Sequence, residues 1–299
     1  MRVVFIGCVQ FSETTLEVLL QQERAEIAGI VTKAASAINA DFRSLEPIAA
    51  REKIPCFLYQ RSADVEPMIR WIQELAPDVV YCFGWSHLLP AELLSVPRLG
   101  VIGYHPAALP QNRGRHPIIW ALALGLKHTA STFFFMDEGA DTGDILDQRP
   151  IAIEDDDDAA TLYSKLENVA KEQIASFTRA LAEGTYMRVP QDHTKANSWR
   201  KRGKQDGAID WRMSSASVHN LVRALTRPYI GAHLTASNGE EAKVWKTVRV
   251  DELYPETNNL EPGKVLRVNG TAVDIKCGHG VIRIVEHEMT QLPLEGTYI

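Results

Sequence analysis

Residues 3–12 read Val3-Val4-Phe5-Ile6-Gly7-Cys8-Val9-Gln10-Phe11-Ser12. A run of β-branched and aromatic residues that stops at a glycine is the pattern of a short buried strand entering a turn. The same pattern recurs at Ile27–Val31, Ile54–Leu58, Val79–Phe83, Val101–Tyr104 and Thr132–Met136. Helical periods over Thr14–Gln22, Val65–Leu75 and His116–Leu126 fall between several of them. Parallel strands need long crossovers, and helices in those crossovers bury the sheet. The expected fold is therefore α/β, with a Rossmann-like, doubly wound, mostly parallel sheet. The turn after Ile6 lacks the further glycines that let a backbone approach a pyrophosphate, so no nicotinamide dinucleotide is expected there. No Gly-Lys-Ser or Gly-Lys-Thr ending marks a triphosphate loop either.

Composition bounds the remaining classes. With 299 residues, 45% hydrophobic and 23% charged, the chain reads as globular, which excludes disorder and fibre. Uncharged runs such as Val79–Ala91 and His116–Leu126 fall short of the ~18 residues a membrane span needs. The start, Met1-Arg2-Val3-Val4-Phe5-Ile6-Gly7, is too short and strand-like for a secretion signal, so a cytoplasmic location is expected. Cys8, Cys56, Cys82 and Cys277 stand singly in apolar surroundings, as reduced buried thiols do. Net charge is −6, and 17 basic against 25 acidic residues precede Val189, the opposite of a general nucleic-acid binder.

Further along, Asp155-Asp156-Asp157-Asp158 precedes a helical pattern carrying Leu162, Leu166, Ala170, Ile174, Phe177 and Leu181. Carboxylates there suit a helix start, and Gly184 suits its end. Residues 188–207 lose periodicity and read as a linker with Lys195, Arg200, Lys201, Arg202 and Lys204. Beyond it lie a helical stretch, Ser217–Leu225, and five short strands: Ala232–Thr235, Lys243–Trp245, Gly263–Val268, Ala272–Cys277 and Gly280–Val285. Turns such as Asn269-Gly270 join them. The expected organisation is a catalytic domain over 1–187, a linker over 188–207 and a small β-barrel domain of OB-like type over 208–299.

Chemistry concentrates between Leu99 and Leu146. His105 and Asp141 each follow a buried strand, at the sheet edge where open α/β folds bind ligands. The imidazole can move protons near neutral pH and the carboxylate can orient it. Pro106, Pro110 and Gly114 stiffen the first loop, while Gly139 and Gly143 are read as letting the second pass close to a ligand. His87, His105 and His116 match no common zinc spacing, so no metal is expected.

These segments resemble the folate-dependent formyltransferase family, whose branches formylate methionyl-tRNA or amino sugars. The resemblance spans Val3 to about Val285. It is carried by His105, Leu109, Pro110 and Gly114 (His-x-x-x-Leu-Pro-x-x-x-Gly) and by Asp137 to Leu146 (Asp-x-Gly-x-Asp-x-Gly-x-Ile/Leu). Asp210-Trp211, Leu221 to Ala224 and Arg227 to Ala232 resemble the family's C-terminal domain. The resemblance implies 10-formyltetrahydrofolate as donor and a primary amine as acceptor. It maps a folate site to His87, Leu88, Leu89, Arg115, Asp137, Glu138, Gly139 and Ala140, and proton transfer to His105 assisted by Asp141. Many members pair, so a homodimer is one assembly it allows.

One departure stands out. The family usually carries Asn-x-His, its Asn stabilising the oxyanion, whereas this chain has Gly103-Tyr104-His105. Loss of one oxyanion donor typically costs about 10²- to 10³-fold in rate; Asn112 is the nearby carboxamide that can stand in. The expected acceptor is the amine of an amino sugar, carried on a nucleotide, with no nucleic-acid partner. The alternatives are methionyl-tRNA formylation and a homologue of weakened catalysis that binds folate or a sugar nucleotide.

Overall fold

The computed structural model describes residues 1–35, 41–236 and 239–299. The chain forms two compact units: one of 1–117, 129–151 and 164–199, the other of 118–128, 152–163 and 200–299.

The elements run β1 (Arg2–Ile6), α1 (Gln10–Leu20), β2 (Glu26–Thr32), α2 (Glu46–Glu52), β3 (Cys56–Leu58), α3 (Val65–Glu74), β4 (Val79–Cys82), α4 (Ala91–Leu94), β5 (Val101–His105) and β6 (Arg113–Gly114). There follow α5 (Pro117–Ala123), β7 (His128–Phe135), β8 (Ile145–Ala152), α6 (Ala159–Glu183) and β9 (Ser198–Trp199). The large sheet has the order β3-β2-β1-β4-β5-β7-β8. Its pairs from β3 to β5 are parallel, and β5 pairs antiparallel with β7. The order turns around at β1, which has β2 on one side and β4 on the other, as a doubly wound sheet requires.

Strand alternation assigns the two faces. Val4, Ile6, Val80, Cys82 and Val101 pack with Met68, Ile69 and Ile72 of α3 in one buried cluster. The alternate residues Phe5, Tyr81 and Phe83 join Phe133 of β7 and Phe177 of α6 in an aromatic core, with ring centroids 4.8 to 5.7 Å apart. Stacked and edge-to-face aromatic pairs add about 0.5–1.5 kcal/mol beyond the area they bury. Tyr81 Oη and Thr178 Oγ1, 2.9 Å apart, satisfy the polar ends within that core. The turn after β1 is filled by the protein itself: Ser12 Oγ donates to the Phe83 carbonyl at 2.6 Å, beside Gly7.

Besides the very short α4, β6 and β9, two elements were not expected. Helix α2 is short, and β8 is an edge strand with a half-exposed pattern containing Gln148, Arg149 and Pro150. Neither presents the apolar run or long amphipathic period that sequence reading relies on. At the end of α6, Gly184 takes φ +71° and Thr185 N–H bonds the Ala180 carbonyl at 2.9 Å, a left-handed cap.

The second unit carries α7 (Ser215–Leu225) and β10 (Ala232–Thr235), β11 (Glu241–Arg249), β12 (Val265–Asn269), β13 (Ala272–Lys276) and β14 (Val281–His287). The strands form a five-stranded, all-antiparallel sheet in the order β10-β11-β14-β13-β12. Asn269 pairs with Ala272 across the Gly270 turn, where φ is +60°. Helix α7 starts on a cap, Ser214 Oγ accepting from Ser217 N–H at 3.0 Å, and buries Val218, Leu221, Val222 and Leu225. The aspartate run is capping chemistry as well: Asp158 Oδ1 accepts from the amides of Ala160 (2.9 Å) and Thr161 (3.0 Å). Buried Arg223 donates to the carbonyls of Glu154 (3.0 Å) and Asp157 (2.9 Å), fixing this segment to α7.

Three of the four cysteines are buried and Cys56 is half-buried; all are free. Burial pushes the Cys277 thiol up to about 12 and the Cys56 thiol up to about 11, which suits inert thiols.

Candidate active site

The C-terminal end of β5 delivers His105, 4% exposed, into a loop that folds back over it. Its Nε2 donates to the main-chain oxygen of Asn112 at 2.7 Å. A carbonyl can only accept, so Nε2 carries a proton and Nδ1 is the nitrogen left for proton exchange. Nδ1 faces Asp141 Oδ2 at 3.6 Å. That carboxylate oxygen also accepts from the Gly114 amide at 2.9 Å, which ties the two loops together. Asn112 (φ +64°) and Asp141 (φ +58°) both adopt the left-handed conformation, which Asn and Asp tolerate better than most residues. A polar belt beneath holds the loop: Thr132 Oγ1 donates to the Ala107 carbonyl at 2.7 Å, and Gln148 Nε2 to the Leu109 carbonyl at 2.9 Å.

Residues outside the motifs complete this arrangement. Gln191, buried, donates through Nε2 to the main-chain oxygens of Asp141 (3.0 Å) and Gly143 (2.6 Å). Its Oε1 accepts from Arg113 Nη2 at 2.6 Å, and Arg113 Nη2 also meets His193 Nδ1 at 3.0 Å. Asn197 Oδ1 accepts from the Asn112 amide at 2.8 Å, and β9 pairs parallel with β6. The stretch read as a featureless linker over 188–207 thus carries the buttress of the candidate site. Its only sequence signal was a Gln, a His and an Asn in a polar, aperiodic run.

The second loop leaves the end of β7, where Phe135 pairs with Ile102 near the start of β5, and Asp141 brings it back to His105. In the second loop Asp137, Glu138, Gly139 and Ala140 are exposed. Asp137 Oδ1 is engaged within the loop, accepting from Gly139 N–H (3.0 Å) and Thr142 Oγ1 (2.5 Å). Close approach at the two glycines proves internal: a Cβ on Gly143 would stand 1.8 Å from the Phe135 carbonyl oxygen, and one on Gly139 would stand 2.0 Å from Thr142 Oγ1. They let the loop close on itself. His87 accepts from Lys33 Nζ at 2.7 Å, with Tyr59 and Trp85 beside it. Burial of part of the ring, then the charges of Lys33 and Arg115, hold His87 below the usual imidazole range. Leu88 is 80% exposed, whereas Leu89 is buried in the core cluster and presents no side chain outward.

Part of the basic run is paired within the protein. Arg200 pairs with Asp206 at 2.5 Å, Lys204 pairs with Glu241 at 2.6 Å, and the Arg202 guanidinium lies 4.5 Å from the Trp120 ring centroid.

Two family descriptions match the sequence in order: "Formyl transferase" over residues 1–178 and "Formyl transferase, C-terminal domain" over residues 201–294. The chain belongs to the formyl transferase family. It is a folate-dependent one-carbon transferase whose formyl donor is 10-formyltetrahydrofolate. Among its relatives is the methionyl-tRNA formyltransferase of Caldanaerobacter subterraneus subsp. tengcongensis, 32% identical over 290 residues, covering 96% of this chain and 91% of the relative. The Acetivibrio thermocellus methionyl-tRNA formyltransferase is 34% identical with the same coverage. Among solved structures, the sugar 3N-formyltransferase WlaRD matches with a TM-score of 0.72 and 16% identity, covering 98% of this chain and 99% of that one. The Helicobacter canadensis N-formyltransferase matches with a TM-score of 0.72 and 16% identity, covering 95% and 98%. At these identities, the structural likeness speaks for the fold.

Proposed function

We propose that this formyl transferase acts on a small acceptor, the primary amine of an amino sugar carried on a nucleotide. The observation that carries this reading is the internal pairing within the Arg200–Lys204 cluster. A tRNA acceptor is held through many phosphates and needs a broad free positive surface. This chain has a net charge of −6 and, in the densest basic run of its C-terminal half, pairs Arg200 with Asp206 and Lys204 with Glu241 while Arg202 lies over Trp120. A nucleotide sugar carries only two phosphates, which a few directional hydrogen bonds can position. Methionyl-tRNA is the second reading, favoured by the 32–34% identity to enzymes of that name across nearly the whole chain.

In the proposed reaction the acceptor amine adds to the formyl carbon of 10-formyltetrahydrofolate. A C–N bond forms, the carbonyl electron pair moves to oxygen, and the C–N10 bond then breaks. The proton lost by the amine ends on N10, so tetrahydrofolate and an N-formyl product leave. His105 Nδ1 and Asp141 are the groups that carry this proton, while the Asn112 carbonyl fixes the ring through Nε2. The folate donor lies along the exposed peptide groups of Glu138, Gly139 and Ala140, with Asp137 shaping the loop. Leu88 supplies an apolar wall, Leu89 anchors it, and His87 and Arg115 form the polar rim. Exposed peptide donors and acceptors beside an aliphatic side chain fit a flat heteroaromatic edge. Release of tetrahydrofolate, measured with a panel of amino-sugar nucleotides and with charged initiator tRNA at physiological salt, tests the proposal. Turnover with at least one sugar and none with tRNA is expected; efficient tRNA formylation with no sugar accepted reverses the two readings.

A further inference from the structure

We infer that the side-chain carboxamide of Asn112 donates the hydrogen bond that stabilises the oxyanion formed at the formyl carbon. This rests on the formyl-transfer chemistry and is independent of which amine is the acceptor. Addition of an amine to a formyl group puts negative charge on the carbonyl oxygen, and a preorganised N–H beside that oxygen lowers the barrier. From β5, two residues before His105, no donor can reach. Gly103 has no side chain, and a Cβ built there would stand 2.8 Å from Met136 Cγ and 3.0 Å from Phe134 Cζ, so the direction is filled by apolar groups.

The donors around the His105 ring are mostly committed. The Gly114 amide serves Asp141, the Asn112 amide serves Asn197, and the Ala107 amide serves the His105 carbonyl. The Arg113 guanidinium is taken by Gln191 and His193, and Gln148 Nε2 by Leu109 and Thr132. The Asn112 carboxamide is different. Its residue is half-buried and anchored at both ends of its peptide unit, the amide by Asn197 and the carbonyl by His105, while the side-chain amide has no hydrogen-bond partner among the described residues. The residue that orients the imidazole through its carbonyl therefore also carries a side-chain N–H donor with no partner among the described residues. With its main chain already fixed, only the side-chain torsions of Asn112 are left to order as charge develops, which lowers the cost of engaging the oxyanion.

Two substitutions separate this role from a turn-forming one. Both Gly and Asp accept the φ of +64° at this position, so Asn112→Gly and Asn112→Asp preserve the loop while removing the donor. Turnover is measured with the amine the wild-type enzyme accepts, and in parallel as hydrolysis of 10-formyltetrahydrofolate to formate and tetrahydrofolate, which passes through the same type of oxyanion. Binding of 5-formyltetrahydrofolate, a non-reacting analogue, is followed by calorimetry. The expected result for Asn112→Gly is a fall of about 10²- to 10³-fold in kcat with analogue affinity retained. Asn112→Asp falls at least as far, because it places an anion against the developing charge. Wild-type-like kcat in both variants overturns the inference, as does a loss of turnover matched by a loss of analogue binding. If the wild-type enzyme formylates neither a sugar nor a tRNA, the acceptor proposal fails separately, and the hydrolysis rates still rank the variants.

Discussion

Gln191 Nε2 lies 3.0 Å from the main-chain oxygen of Asp141, so a residue 50 positions further along the chain sets the backbone of the carboxylate that faces His105. Through Oε1 the same side chain takes up the buried Arg113 guanidinium. Gln191→Ala is expected to lower kcat more than it raises KM, because the Asp141 end of the loop loosens while Asp137 still holds Gly139 and Thr142. It also leaves Arg113 short of a partner, a deficit worth about 1–3 kcal/mol. Steady-state kinetics and denaturant unfolding of one protein preparation test both effects; unchanged kcat would remove Gln191 from the positioning role.

For the proton-moving pair, His105→Asn and Asp141→Asn are expected to reduce turnover by about 10²- to 10⁴-fold, the range of general acid–base catalysis. Both replacements are near in size, so circular dichroism and melting temperature should stay close to wild type. A variant with normal kcat would exclude that residue from proton transfer.

Gly103→Ala probes the packing behind the site. Its Cβ would press on Met136 and Phe134 at 2.8 to 3.1 Å, and overpacking a tight core costs about 1–3 kcal/mol. A lowered urea midpoint at unchanged m-value is expected, and an unchanged midpoint would show that Met136 yields freely.

Stability should fall on mild acidification. Burial first, then Arg223, hold His219 below its ordinary value, and burial does the same to His233. The unfolded imidazoles, near ~6.5, then bind more protons than the folded ones. The associated stability is present above that value and is lost as pH falls below it towards the lowered folded values. Melting temperature is expected to drop between about pH 7 and pH 5. His219→Gln should flatten that slope without abolishing it, since His233 and His87 act in the same direction. An identical slope in the variant would contradict the assignment to His219.

Arg202→Ala should cost stability through the lost contact with Trp120 while leaving the acceptor KM unaltered. A large rise in KM with an intact fold would instead give the cluster a role in holding phosphate.

Much of the architecture follows from local pattern alone. Val3–Ile6, Val79–Phe83 and Val101–Tyr104 are short apolar runs whose only stable environment is the inside of a sheet covered on both faces, and Asp158 and Gly184 carry their capping chemistry in their own side chain and backbone freedom. His105 and Asp141 were legible as a pair because each ends a strand-and-loop motif. What decided the rest was contact between distant segments. Gln191 and Asn197 reach Asp141, Arg113 and Asn112 across 50 to 85 positions, and neither carries a periodic or motif signal. The half-exposed pattern of β8 hides it until β7 is there to pair with. The charges of Arg200 and Lys204 look free in the sequence and are paired only when Asp206 and Glu241 come to meet them. Apolar periodicity is a local property of the chain, whereas a hydrogen bond or ion pair exists only when folding brings both partners within about 3 Å of each other.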